Sequence, residues 1–211
     1  MKTLIAAAAL TLGAVAAVSP ANAAALIGGT TVVEVTAPIG ALGLAGATLG
    51  SASVTTEGFF SFPVTGGDLA GLAGTIEHSG SGVRLSSATA NVDLRNFLID
   101  TVQQLIFADV SANGGAFGNI AVFSFDVASL PSLPDLFDLS DPALALILTD
   151  GAADALEGVF GLTAQLNGLQ FGLAATAPIV TPLPGAIGFF MAGAAGLAAL
   201  RRKRTAAARV S

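Results

Sequence analysis

No cysteine, tryptophan or tyrosine occurs in this chain of 211 residues, and histidine occurs once, as His78. Without cysteine there is no disulfide framework, no thiolate nucleophile and no zinc–thiolate centre. Without tryptophan and tyrosine, the side chains on which sugar-binding and protein-binding surfaces usually lean are missing. Cations are scarce across most of the chain. Residues 24–180 carry all fourteen acidic residues but only Arg84 and Arg95, a formal balance of twelve negative charges. Such a surface repels nucleic acid and anionic lipid, so neither is an expected partner.

The two ends are built differently from this acidic middle. At the C-terminal end, Thr181-Pro182-Leu183-Pro184-Gly185 leads into an uncharged run, residues 183–200, closed by Arg201, Arg202, Lys203 and Arg204. As a helix that run is about 27 Å long, just enough for a bilayer core of about 30 Å. Basic flanks stay on the cytoplasmic side, which puts everything before Thr181 on the outer face and residues 205–211 in a cytoplasmic tail. Pro182 and Pro184 fix φ and lack a donor, so the segment between them is extended and unpaired, a peptide that an enzyme could grip.

This order of proline motif, apolar span and basic stop resembles the C-terminal sorting signal of the PEP-CTERM family of Gram-negative bacteria, in its Val-Pro-Leu-Pro-Ala variant. Thr181 and Gly185 stand where that variant commonly has Val and Ala. The resemblance implies that an exosortase, a membrane-embedded cysteine transpeptidase-like enzyme, processes the chain at Pro182, Leu183 and Pro184.

The N-terminal end has Lys2, an apolar run over residues 4–18 and then Ala21-Asn22-Ala23. These are the n-region, h-region and small-residue cleavage site of a signal peptide over residues 1–23, which implies export by the Sec machinery and a mature start at Ala24.

Between the ends, residues 24–180 are enough for one domain with a core of its own. Residues 30–36 are β-branched and read as a first strand, followed by a loop or short irregular helix over residues 38–50. Phe59, Phe60, Phe62 and Val64 suit a short edge strand ended by Pro63 and Gly66-Gly67. Period-two alternation marks strands at residues 73–77, 82–86 and 90–94, continued at 97–102 and 105–110. Asn113-Gly114-Gly115 is a hairpin turn and residues 120–127 a strong strand. Residues 130–142, with three prolines and Asp135, Asp138 and Asp141, read as a surface loop. A buried strand over 143–148, Asp150 as an N-cap, a helix over 152–160 closed by Gly161 and a last strand over 166–174 complete the pattern. Short strands at regular spacing predict a mainly β fold, a β-sandwich or barrel-like domain with one short helix.

The segments Phe62-Pro63-Val64-Thr65-Gly66-Gly67, Ile76-Glu77-His78-Ser79-Gly80, Val92-Asp93-Leu94 with Asn96-Phe97 and Ile99-Asp100-Thr101, then Ala153-Asp154-Ala155-Leu156 and Phe160-Gly161, resemble a group of exported bacterial β proteins. That group is distantly similar to the HtaA-type haem-binding surface domains. Haem-binding members use a Tyr as iron ligand; this chain has none, and only His78 matches a histidine of the pattern.

Candidate sites are few. A single histidine is a poor metal site, so His78 is expected to be a turn residue hydrogen-bonded near Ser79 and Gly80 rather than a ligand. It also leaves any Ser-His-Asp arrangement without a marked nucleophile or orienting acid. Asp135, Asp138 and Asp141 offer hard oxygens to calcium but lack the dense ligands and fixed Gly of a calcium loop. Glu57 and Glu77 could pair for glycoside hydrolysis, but no Trp or Tyr is there to stack a sugar. No catalytic residue and no cofactor are therefore expected. The favoured function is a non-catalytic exported surface or extracellular-matrix protein, sorted by its tail and associated with extracellular polysaccharide. The alternative is a membrane-tethered module that binds haem or another hydrophobic small molecule.

Overall fold

The computed structural model describes residues 23–181. Ala21 of the cleavage site, Pro182, Leu183, Pro184, the apolar run 183–200 and Arg201, Arg202, Lys203 and Arg204 lie outside the described residues. Among the described residues no helix is long and apolar enough to cross a membrane. The fold is mainly β with one α-helix.

Its strands are β1 (Ala24–Val35), β2 (Ala45–Gly50), β3 (Ser53–Val54), β4 (Phe60–Pro63), β5 (Gly66–Ala70), β6 (Ala73–Ser86), β7 (Asn91–Asp100), β8 (Leu105–Ala112), β9 (Gly115–Ser124), β10 (Leu144–Leu148) and β11 (Gln170–Val180), with α1 (Asp150–Phe160) between the last two. From β5 to β11 each strand pairs antiparallel with the next. The first strand then closes the ring. Along one edge β1 pairs with β11, from Leu26 opposite Val180 to Val35 opposite Gly172. Along the other, Ala24 and Ala25 meet Leu69 and Asp68 of β5. Closure leaves few open edges, and the remaining short strands lie on the ring: β4 on β1, β3 on β4 and β2 on β6.

Inward residues follow from the pleat. In β10, Leu144, Leu146 and Leu148 are buried while Ala145 and Ile147 are only partly so. The main core gathers the inner faces of β6 to β11, with further packing supplied by α1 through Ala152, Ala153 and Leu156. A smaller cluster, Leu26, Val64, Leu69 and Ile76, fills the end where β1 starts and β11 stops.

Several expectations are corrected. The separate strands at 73–77 and 82–86 are one strand, β6, and those at 90–94 and 97–102 are β7. Each is interrupted by a bulge, between His78 and Gly82 in one and between Arg95 and Leu98 in the other, which breaks the alternation without ending the ladder. The two bulges are tied together, Gly80 N donating to Asn96 Oδ1 at 2.8 Å. Residues 38–50 contain a short 3-10 turn, Ile39–Leu42, and then strand β2. The loop over 130–142 holds a 3-10 turn, Leu133–Phe137, whose Leu136 is buried in the core. Thr149, not Asp150, caps α1, its Oγ1 accepting from Ala152 N. The last strand begins at Gln170 and runs on to Val180. At the hairpin of β8 and β9 the turn is as expected, with Asn113 and Gly114 both at positive φ, 50° and 84°.

Candidate functional site

The sole histidine is not a turn residue. It sits in mid-strand on β6, two residues after Ile76 and on the same inner face, and is 1% exposed. Its Nε2 lies 2.8 Å from Thr31 Oγ1 of β1, and that hydroxyl lies 2.8 Å from Thr176 Oγ1 of β11. A hydroxyl both accepts and donates, so His78, Thr31 and Thr176 form one hydrogen-bonded chain through Nε2 and the two hydroxyls. Nδ1 is buried and has no partner among the described residues. Burial pushes the imidazole down to about 4, opposed in part by the backbone of Phe97, which stands opposite it in the ladder. The ring is therefore neutral at physiological pH.

Around it is an apolar chamber. Phe62 meets the imidazole edge to face at 6.4 Å, and Phe97 meets Phe62 the same way at 5.2 Å. These rings, with Val33, Leu85 and Leu146, border a cavity of about 50 Å³ that His78 and Thr31 also line. A second cavity of about 70 Å³ lies toward the end where β1 starts and β11 stops, sharing Thr31, Val33, Ile99 and Leu146. Since one water needs on the order of 10–15 Å³, these spaces suit a few water-sized or small apolar guests. A tetrapyrrole does not fit inside.

The carboxylates weighed as candidate ligands do not converge. Asp135 Oδ1 accepts from Ser132 Oγ at 3.2 Å, whereas Asp138 Oδ1 accepts from Ser140 N and Oγ at 2.9 and 2.6 Å. Asp141 donates its own backbone N–H to the Asp138 carbonyl at 3.3 Å. These aspartates shape the loop, as turn-forming Asx residues do. Among the described residues no three His, Asp or Glu side chains are grouped to hold a metal ion. Glu57 accepts from Thr56 Oγ1 at 2.7 Å in the turn between β3 and β4, while Glu77 lies over Gly66 on β5.

Sequence reasoning missed one charged cluster. Asp93 of β7 is buried and takes both arginines of the domain, Arg84 Nη2 at 2.8 Å and Arg95 Nη2 at 3.3 Å. The Arg84 hydrogen bond is the largest influence holding the Asp93 carboxyl below its ordinary value. Arg84 stands opposite Asp93 in the β6–β7 ladder and Arg95 lies two residues along, so the strand register carried the signal.

No family model matches the sequence, and no curated protein is significantly similar to it. Among solved structures, the crystal structure of the C-terminal domain of HtaA from Corynebacterium glutamicum has a similar fold. The match has a TM-score of 0.52 and 12% sequence identity, over 75% of this chain and 99% of that one. At that identity the likeness is one of fold.

Proposed function

We propose that the chain is a non-catalytic exported β domain, carried to the outer face of the membrane by its N-terminal signal, tethered by the span 183–200 and processed by an exosortase at Pro182, Leu183 and Pro184. The observation that carries this reading is where the ring closes. Its two closing strands start at Ala24 and stop at Val180, against the boundaries of the two address segments read from the sequence. The likeness in fold to an HtaA domain supports placing such a domain at a cell surface. The test is the intact mass of the protein recovered from membrane and from medium of the producing cell. A chain starting at Ala24 and ending within 182–185 is expected in the medium. A chain that retains Arg201 to Arg204 in every fraction would overturn processing and leave a permanent tether.

A second reading, a ligand-binding surface module, rests on the same fold likeness and on the sequence resemblance to HtaA-type haem-binding domains. The interior limits it. With His78 buried against Thr31 and the cavities far smaller than a tetrapyrrole, haem would have to bind on the outside of the ring, without a tyrosine ligand. Titration with haem decides this: a Soret shift that persists in His78→Ala would support an external site, and the absence of any shift would end the haem reading.

A further inference from the structure

Nine large apolar side chains are prominently exposed among the described residues, and seven of them crowd one end of the ring. Ile27, Ile179 and Val180 are on the paired ends of β1 and β11; Leu72 and Val102 are on the β5–β6 and β7–β8 turns; Leu133 and Phe137 are on the 3-10 turn between β9 and β10. The antiparallel order puts all these connections at the end where β1 starts and β11 stops. The turns are fastened to one another, Gly74 N donating to Thr101 Oγ1 at 2.8 Å. Val102 is 71% exposed and Ile27 64%, so the rim faces solvent rather than the core.

The chain leaves from this same end, and it leaves on a short leash. Thr181 is fixed to β1, its N and Oγ1 both donating to the Ala25 carbonyl at 2.9 and 3.1 Å. Only Pro182 then separates Thr181 from the first residue of the apolar run at Leu183. At about 3.5 Å per residue, that holds Thr181 within about 7 Å of the span, the depth of one headgroup layer. With the tail spanning the bilayer as proposed above, an apolar rim held at that distance has a lipid surface in front of it.

We infer that this rim docks on the outer leaflet of the bilayer that the tail spans, with its exposed aliphatic and Phe side chains in the headgroup layer. The attraction is apolar, not electrostatic. The acidic groups at this end are Asp68, Asp100, Asp126, Asp135, Asp138 and Asp141, and neither Arg84 nor Arg95 is among the connections that form it. Several of those carboxylates turn back onto the backbone: Asp100 accepts from Val102 N and Gln103 N, Asp126 from Ala128 N. Asp68, Asp126, Asp138 and Asp141 are exposed beside the apolar tips, which keeps insertion shallow, as for side chains anchored at an interface. Docking also holds Pro182, Leu183 and Pro184 at headgroup level, where a membrane-embedded enzyme can reach them.

The inference rests on the tether proposed above, and the absence of Trp makes both testable with single reporters. The uncleaved full chain is reconstituted in phosphatidylcholine vesicles carrying lipids brominated near the headgroup, or deep in the chains. Tryptophan fluorescence is read in Val102→Trp, Ile179→Trp, Phe117→Trp on the far end of the ring, and Phe189→Trp in the apolar run. Headgroup-region quenching of Val102→Trp and Ile179→Trp several-fold above Phe117→Trp is expected, with Phe189→Trp quenched by the deep bromines. If Phe189→Trp is quenched but the rim reporters match Phe117→Trp, docking is overturned and the tether stands. If Phe189→Trp is not quenched, the tether fails and docking falls with it. All three substituted rim and far-end side chains are exposed, so folding is preserved, and circular dichroism unchanged from the parent chain verifies it.

Discussion

His78 of β6 and Thr31 of β1 share a hydrogen bond of 2.8 Å inside the ring, although β5 lies between their strands in the sheet order. Thr176 of β11 extends the link, so one polar chain spans the strands that close the fold. In an apolar interior such a bond is worth most as a constraint on register, because any slip leaves a buried imidazole unpaired.

This link makes stability depend on mildly acidic pH. The His78 imidazole titrates near 4 in the fold and near 6.5 when unfolded. The unfolded chain binds the proton first, so the contribution is fully present above about pH 6.5 and is lost as pH falls toward 4. The expected loss is about 3 kcal/mol over that window. Urea unfolding at pH 7 and pH 5, before most carboxylates titrate, checks it. His78→Gln should flatten the difference; an unchanged pH slope in that variant would show the dependence has another origin.

Ring closure predicts an opposite pair of glycine effects. A Cβ at Gly172 would sit 2.2 Å from the Glu34 carbonyl, backbone against backbone where β11 meets β1. Gly172→Ala should therefore destabilise by about 1–3 kcal/mol, the cost of overpacking a site that cannot relax. Gly158, exposed in α1, has open space around its Cα. Gly158→Ala should stabilise by about 0.5–1 kcal/mol through helix propensity. Thermal unfolding of both variants gives the two signs directly.

Most strand positions were legible because the pleat writes itself into residues such as Ile76, Val83 and Leu85. What the sequence hid has a physical cause in each case. The bulge after His78 reversed the alternation and made one strand look like two, with the histidine stranded in an apparent turn. Gly and Ala in β2 carry no period, so a strand built on backbone pairing to β6 resembled a loop. The pairing of β1 with β11, which creates the site around Thr31 and Thr176, brings together those two residues from 145 positions apart and leaves no local mark. Asp93 could have been found, since Arg84, Asp93 and Arg95 alternate on the face that two adjacent strands share.

Because Asp93 holds both arginines, Asp93→Asn should lower the urea midpoint at pH 7, by less than a core truncation since both guanidiniums remain half exposed to solvent. Arg84 beside it keeps the Asp93 carboxyl below the ordinary carboxylate value of about 4. The stabilisation is present above that value and is lost as pH falls below it. The midpoint difference between parent and variant should shrink in 1 M NaCl and near pH 2 to 3. A difference insensitive to both would mean Asp93 acts through packing alone.

Leu146 tests what the interior can hold. It is 2% exposed and borders both the cavity beside His78 and the larger one that Leu69 and Pro178 line. Leu146→Ala should cost about 3–4 kcal/mol, because lost transfer energy adds to a void that the closed ladder cannot collapse. The two spaces, about 50 and 70 Å³ in the parent, would join into one apolar chamber. A dry chamber of that size takes up a small aromatic guest, and binding to the folded state alone raises its stability by mass action. Saturating benzene should therefore raise the melting temperature of Leu146→Ala while leaving the parent nearly unchanged. Equal shifts in both proteins would mean that the parent already admits such guests, which would favour the ligand-binding module. No shift in the variant, with a cost under about 1 kcal/mol, would mean that the ring contracts around the missing side chain and that its interior serves the fold alone.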